Sequence, residues 1–220
     1  MQFGVDEAGK GPVLGSMFAA AVRAPREALP AAVDDSKRLG DDRRKELAGR
    51  LRSDGRVAVG VAEIPPERID AGNMNDLTVA AHAEALAAAA ESGDGGLCDA
   101  GDVDADRFAA RVAARTDVDV EVAARHGADA SDDLVAAASI VAKTAREQHV
   151  AALAAEFGAV GSGYPSDPAT REFLEGYVAE HGALPPCARA SWKTSQDALA
   201  AATQSSLGEF EPEATTPDDF

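Results

Sequence analysis

Apolar positions recur along the chain in short blocks separated by Gly, Pro and Asp, and the period inside the blocks switches repeatedly between strand-like and helix-like. Residues 2–6 (QFGVD) and 13–23 (VLGSMFAAAVR) read as two apolar strands, joined by a tight turn over EAGKGP that Gly9, Gly11 and Pro12 shape. An Asp-rich loop leads to a helix over about 41–53, followed by a β-like run, RVAVGVAEI at 56–64, that Pro65 and Pro66 close. Residues 75–91 combine strong helix formers with an N-cap at Asn75 or Asp76. Beyond them the pattern predicts a strand at 96–99 (GLCD), a helix over about 104–116, a strand at 118–124 and a long helix from 131 to about 156. The loop GSGYPSDP enters a helix at about 168–181, and a last short helix reaches about residue 202. A hairpin followed by alternating strands and helices predicts an α/β fold, a mixed sheet flanked by helices with a helical C-terminal extension. One folded unit over 1–200 is expected, with 201–220 as an acidic tail that is disordered alone. No internal repeat stands out.

Composition narrows the picture. No run approaches the ~20 apolar residues that span a bilayer, and no basic segment opens the chain, so a cytoplasmic protein without a membrane partner is expected. Cys98 and Cys187 are far apart and outside any CxxC, which argues for two reduced thiols rather than a disulfide or thiolate zinc site. The 38 acidic and 21 basic residues of the 220 give a net charge of −17, which at first excludes a nucleic-acid partner. The basic set is 16 Arg and only 5 Lys, however, a surface chemistry suited to high salt, where self-repulsion is screened. Four of those lysines, Lys10, Lys37, Lys143 and Lys193, sit in unusual local sequence (GKG, DSK, SIVAK and SWKT) and are functional candidates.

Four carboxylates fall where an α/β sheet presents residues to a ligand. Asp6 and Glu7 end the first strand, Asp99 ends GLCD, and Asp129 follows the strand at 118–124 through a short loop. Neighbours on a strand point to opposite faces, so Asp6 and Glu7 share one site only if the strand stops there. Clustered carboxylates repel unless cations neutralise them, and Mg²⁺ or Mn²⁺ takes oxygen ligands of this kind. Two such ions about 4 Å apart would suit phosphodiester hydrolysis. Spacing alone leaves open that the four are merely solvated.

The blocks VDEAGKGPVLG, DDSKRL, LCDAGDVDADRF, HGADASDDLVAAASIVAKTARE, GSGYPSDPATREFL and SWKT, in this order, resemble an archaeal-type ribonuclease HII over about residues 1–195. The resemblance implies an RNase H-like sheet and a monomeric endonuclease. It also implies cleavage of the RNA strand of RNA–DNA hybrids and of single ribonucleotides embedded in duplex DNA. The cut would fall 5′ to the ribonucleotide, leaving a 3′-hydroxyl and a 5′-phosphate. Carried over by position, the catalytic metal-binding quartet is Asp6, Glu7, Asp99 and Asp129, holding Mg²⁺ or Mn²⁺. The family's GRG turn, which reads the ribose 2′-hydroxyl, is Gly9-Lys10-Gly11 here, with Lys in place of Arg. Tyr164 matches the tyrosine that packs on the sugar. Ser139, Lys143 and Arg146 share a helical face and correspond to phosphate contacts; Lys37 and Asn75 are weaker candidates.

Residues 37–56 carry eight basic and four acidic side chains and read either as a phosphate-facing patch or as an ordinary charged helix. Trp192 either packs or stacks on a base, Lys193 beside it could reach a phosphate, and His126 could support Asp129. In the tail, Gln204, Leu207 and Phe210 form a Q-x-x-L-x-x-F pattern, similar to the peptide by which repair proteins dock on the sliding clamp. Glu211 stands where a second aromatic is usual. Competing readings are a same-fold nuclease with different substrate choice and a non-catalytic binding module. A nucleotide-binding loop in GKGP is excluded because GxxxxGK[ST] spacing is absent.

Overall fold

The computed structural model describes residues 1–33 and 40–208, with side chains as far as Gln204. Five strands form one mixed sheet: β1 (Gln2–Ala8), β2 (Met17–Ala24), β3 (Ala58–Ile64), β4 (Gly95–Asp99) and β5 (Glu121–Arg125). Their order is β3-β2-β1-β4-β5, with β1, β2 and β3 antiparallel and β1, β4 and β5 parallel. Around it lie helices α1 (Asp41–Ser53), α2 (Pro66–Asp70), α3 (Met74–Ala89), α4 (Ala105–Arg115), α5 (Asp133–Phe157), α6 (Pro168–His181) and α7 (Lys193–Gly208), with short 3₁₀ turns at Arg26–Ala28 and Ala128–Ala130. This is the mixed α/β arrangement expected from the hydrophobic pattern.

Two apolar layers sandwich the sheet. On one face Phe3, Val5, Met17 and Ile64 pack under α3 and α4; on the other Ala20 and Val22 pack under α1 and α5. The small residues bring helices very close to the strands. A Cβ on Gly4 would lie 2.2 Å from the α5 backbone at Leu134. A third cluster, of Leu14, Leu153, Leu174 and Val178, joins the β1–β2 connection to the C-terminal helices.

Several boundaries differ from the sequence expectation. β2 starts at Met17 rather than near residue 13, because Val13 and Leu14 donate to Gly163 O and Gly15 donates to Cys187 O. The expected tight hairpin turn is therefore a longer connection tied to the far end of the chain. α3 begins at Met74, capped by Asn73, whose side chain accepts the Asn75 N–H, so Asn75 is not the cap. Pro66, expected to close a strand, opens the short helix α2 as its first residue. Helix α7 continues past residue 202 to Gly208. Cys98 and Cys187 are both buried free thiols. Among the described residues no helix is long and apolar enough to cross a membrane.

Candidate active site

Strands β1 and β4 pair in parallel only as far as Val5 and Cys98, and Asp6, Glu7 and Asp99 are the first residues beyond that last pair. Strand β1 itself continues to Ala8, so the condition that it stop at the acidic pair is not met. Asp6 and Glu7 straddle the strand instead. Asp6 points with Gly4 toward α5, where Ser139 faces it, whereas Glu7 points toward α3 and meets His82. Asp129 lies in a 3₁₀ turn, Ala128–Ala130, immediately before α5. The Ala128 N–H of that turn donates to Asp99 Oδ1 at 2.9 Å, which holds two of the loops together.

The charges interact. Burial pushes the Asp6 carboxyl up to about 7, and repulsion from Glu7 and Asp99 adds to it; the nearby Ser139 hydroxyl opposes the rise. Asp99 is also raised, first by burial and then by Glu7 and Asp129, against backbone N–H donors at Ala128 and Gly127. Glu7 behaves oppositely: burial raises it, but His82 (Nε2 to Oε2, 2.8 Å) and Lys10 outweigh that and hold it below the ordinary value. Lys10 Nζ lies 3.3 Å from Glu7 Oε1 and donates to Gly101 O at 2.9 Å.

No three His, Cys, Asp or Glu side chains among the described residues are already arranged to hold a metal ion. Three of the four carboxylates are turned to protein donors: Asp6 Oδ1 to the Glu7 N–H, Glu7 to His82 and Lys10, Asp99 to Ala128. The donor set nevertheless fits a hard divalent cation, because mutually repelling, partly buried carboxylate oxygens are what such a cation neutralises.

A pH dependence follows for the metal-free chain. The folded value of Asp6 lies above the ordinary 3.8, so its proton stabilises the fold at low pH and that contribution is lost as pH rises from about 4 to about 7. An entering cation must displace this proton. Calorimetric Mg²⁺ binding therefore strengthens as pH rises toward about 7 and levels off above it. A flat profile for the natural chain would contradict the assignment.

Two grooves open on either side of Glu7 and Lys10. The larger, about 810 Å³, is lined by Gly9, Lys10, Gly11, Lys143, Arg146 and Tyr164, together with Lys45, Val150 and Ser162. The smaller, about 290 Å³, is lined by Asn75, Ala100–Val103 and His126. Most candidates picked from the sequence thus share one surface. Gly9 has φ +91°, a conformation that favours glycine, and a Cβ there would meet the Arg146 side chain at 2.6 Å. Gly11 is unstrained and lies beside Tyr164, which is 41% exposed.

Other candidates are placed differently. Ser139 is fully buried against Asp6 and does not line the groove. Arg146 is 8% exposed, donates to Ser162 O at 3.0 Å and lies 5.2 Å from the Tyr164 ring centroid, so it braces the loop more than it presents charge. Lys193 pairs with Asp197 at 2.7 Å, and His126 Nε2 lies 2.8 Å from Asp102 O. Trp192 packs between two apolar clusters. In the basic stretch, Arg43 pairs with Glu46, Arg44 with Asp41 and Glu147, and Arg56 with Asp54, as an ordinary charged helix would. Lys45 of that stretch does face the groove. Lys37 and Phe210, and the side chain of Leu207, lie outside the described residues; Gln204 is exposed on α7.

Sequence reading missed His82. It is fully buried in an Ala-rich helix, edge-on to Phe108 at 5.0 Å, and its one ring contact among the hydrogen bonds is Glu7. The available signal was a lone polar ring on an otherwise apolar helix face, which must find a partner.

Comparisons with known proteins agree with this geometry. The sequence pattern of the family described as Ribonuclease HII matches residues 3–195. A Ribonuclease HII of Natronomonas pharaonis is 63% identical over 207 residues, covering 94% of this chain and 98% of that protein. The crystal structure of ribonuclease H2 from Pyrococcus horikoshii superposes with a TM-score of 0.85 at 34% identity, covering 92% of this chain and 99% of the other. A PCNA:RNase HII complex from Archaeoglobus fulgidus gives a TM-score of 0.77 at 36% identity, over 90% and 96% of the two chains. The chain belongs to the ribonuclease HII family, and is accordingly a ribonuclease H-type hydrolase that cuts RNA paired with DNA.

Proposed function

We propose that this enzyme, beyond its family's activity on RNA–DNA hybrids, cuts at single ribonucleotides embedded in duplex DNA, acting as a cytoplasmic monomer. The observation that carries the reading is the contiguity of Glu7, Lys10, Gly11 and Tyr164 along one groove. A sugar seated against Gly11 and Tyr164 places its 5′ phosphate beside the carboxylates. A pair of divalent cations, Mg²⁺ or Mn²⁺, held by Asp6, Glu7, Asp99 and Asp129, would supply the positive charge that activates water and stabilises the leaving oxygen. Water oxygen bonds to phosphorus, the P–O3′ bond on the 5′ side of the ribonucleotide breaks, and the departing oxygen takes up a proton. The products are a 3′-hydroxyl and a 5′-phosphate. Lys143 and Lys45 contact backbone phosphates in the same groove, with Lys37 as a further candidate, while buried Ser139 and Arg146 act by holding Asp6 and the Ser162–Tyr164 loop.

Gly11→Ala tests the ribose assignment without disturbing the fold. Its added Cβ meets only Tyr164 Cε1, at 3.7 Å, an ordinary contact. The melting temperature stays within about 2 °C of the natural chain's, whereas kcat/KM on a duplex carrying one ribonucleotide falls at least about tenfold because the methyl occupies sugar space. Unchanged cleavage would mean that these glycines only shape the connection.

The Archaeoglobus fulgidus relative was solved bound to PCNA. We assign the same kind of docking here to Gln204, Leu207 and Phe210, with Glu211 in place of a second aromatic weakening it. Leu207→Ala/Phe210→Ala abolishes capture by the sliding clamp in a surface-binding assay while leaving clamp-free cleavage intact. Equal capture of both forms would place docking elsewhere.

A further inference from the structure

Arg189 carries a full charge into the interior and makes no ion pair among the described residues, the Asp70 carboxylate acting on it only from a distance. It is 0% exposed, and burial, then repulsion from Arg146, pushes its guanidinium down to about 10. Its hydrogen-bonding nitrogens are spent on backbone. Nη2 donates to Gly9 O at 2.6 Å, Nη1 to Lys10 O at 2.8 Å and Nε to Gly15 O at 2.9 Å. Trp192, whose ring lies 5.0 Å from the guanidinium carbon, donates Nε1–H to Gly11 O at 3.3 Å. Three successive carbonyls of the Gly9-Lys10-Gly11 turn are therefore drawn toward one C-terminal segment. That segment is anchored from α2, where Asp70 accepts the N–H groups of Ala190 and Ser191 at 2.8 and 2.9 Å.

A trans peptide unit points its C=O and N–H in opposite directions. Holding the Gly9 and Lys10 carbonyls toward Arg189 turns the Lys10 and Gly11 N–H groups the other way, on the side where the turn and Tyr164 line the groove. Neither N–H has a backbone acceptor among the described residues. The buried cation also polarises both peptide units, which makes those N–H groups better donors.

We infer that Arg189 is a positioning residue for ribose recognition, which aims the Lys10 and Gly11 amides at the sugar and thereby sets discrimination between ribonucleotide and deoxyribonucleotide. The inference rests on the proposed reading of the turn. It accounts for a buried, unpaired charge that fold stability alone would disfavour, and it gives Trp192 a role through the turn rather than on a base.

The test compares two duplexes of one sequence, one with a single ribonucleotide and one all-DNA, by equilibrium binding in Ca²⁺ and by kcat/KM in Mg²⁺. Arg189→Lys, which retains the charge but not the three-way fork, lowers the preference for the ribonucleotide duplex about tenfold, equivalent to about 1.4 kcal/mol. Affinity for all-DNA duplex stays within about twofold. Trp192→Phe keeps the packing, removes one donor and lowers the preference by about threefold, which preserves the test if Arg189→Lys folds poorly. Equal loss on both duplexes, or loss of melting temperature with unchanged preference, would reduce Arg189 to a packing role and overturn the inference. Gly11→Ala serves as the control for the underlying reading. If it too leaves the preference unchanged, the turn does not read ribose; if it lowers the preference while the Arg189 and Trp192 variants do not, only the positioning role fails.

Discussion

Asp6→Asn lowers cleavage of a ribonucleotide-containing duplex by about a thousandfold or more, while binding of the same duplex stays measurable. The magnitude corresponds to about 4 kcal/mol, what loss of a metal-held charge at the reacting phosphate costs. The substitution is nearly isosteric, and an asparagine oxygen can still accept the Glu7 N–H that Asp6 accepts at 2.7 Å. It removes the charge that Glu7 and Asp99 repel. Without metal the variant therefore melts at or above the temperature of the natural chain, and Mg²⁺ no longer raises that temperature. This pair of readouts separates a metal ligand from a structural carboxylate, since loss of a structural carboxylate lowers stability together with activity. Cleavage persisting in Asp6→Asn would remove Asp6 from the site.

Gly4→Ala is expected to be among the most damaging single-methyl substitutions outside the site, alongside those at Gly60 and Gly96. The added Cβ would lie 2.2 Å from backbone atoms of both Leu134 and Val135, so relief requires moving the start of α5 away from β1. Overpacking against backbone costs about 3 kcal/mol, which for a chain of this size lowers the melting temperature by about 6–12 °C. Because α5 carries Ser139 against Asp6 and Lys143 into the groove, the shift also reduces activity at temperatures where the variant is folded. A melting temperature within about one degree of the natural chain's would show that the strand and helix are not so closely apposed. Gly11→Ala, whose Cβ meets nothing closer than 3.7 Å, is the contrasting case.

Local signals predicted the elements whose ends are set locally. Helix α6 starts at Pro168 behind an Asp167 cap and stops at Gly182 with φ +68°, as its sequence expectation placed it. Asp99 was legible as the end of β4, but Asp6 and Glu7 lie inside β1, which runs on to Ala8, and it was the order of the sequence blocks rather than the strand pattern that singled the carboxylates out. What could not be read was set by distant partners. Val13 and Leu14 continue the apolar pattern of β2 but bond to Gly163, so the strand begins four residues later than the pattern suggests. The Glu7–His82 contact bridges residues 75 apart, and Arg189 reaches back to Gly9 across 180. Ser139 and Arg146 share a helical face with Lys143 as the spacing requires, yet only Lys143 stays half-exposed, because Asp6 and the Ser162–Tyr164 loop cover the other two.

The net charge of −17 also has a narrower meaning than its first reading. Five acids lie in residues 201–220, and four form the candidate metal site. Most of the others fit a surface adapted to salt, in keeping with the 63% identical relative from Natronomonas pharaonis, although Asp94 and Asp102 are buried.

The most direct test is cleavage of a duplex carrying one ribonucleotide at a defined position, with product ends mapped, in Mg²⁺ and in chelator, from low to molar salt. A single cut on the 5′ side of the ribonucleotide, leaving 3′-hydroxyl and 5′-phosphate ends, absent in chelator and sustained in molar salt, is the expected result. Cleavage that survives chelation, or a duplex left intact by an enzyme that still degrades a continuous RNA–DNA hybrid, would contradict it.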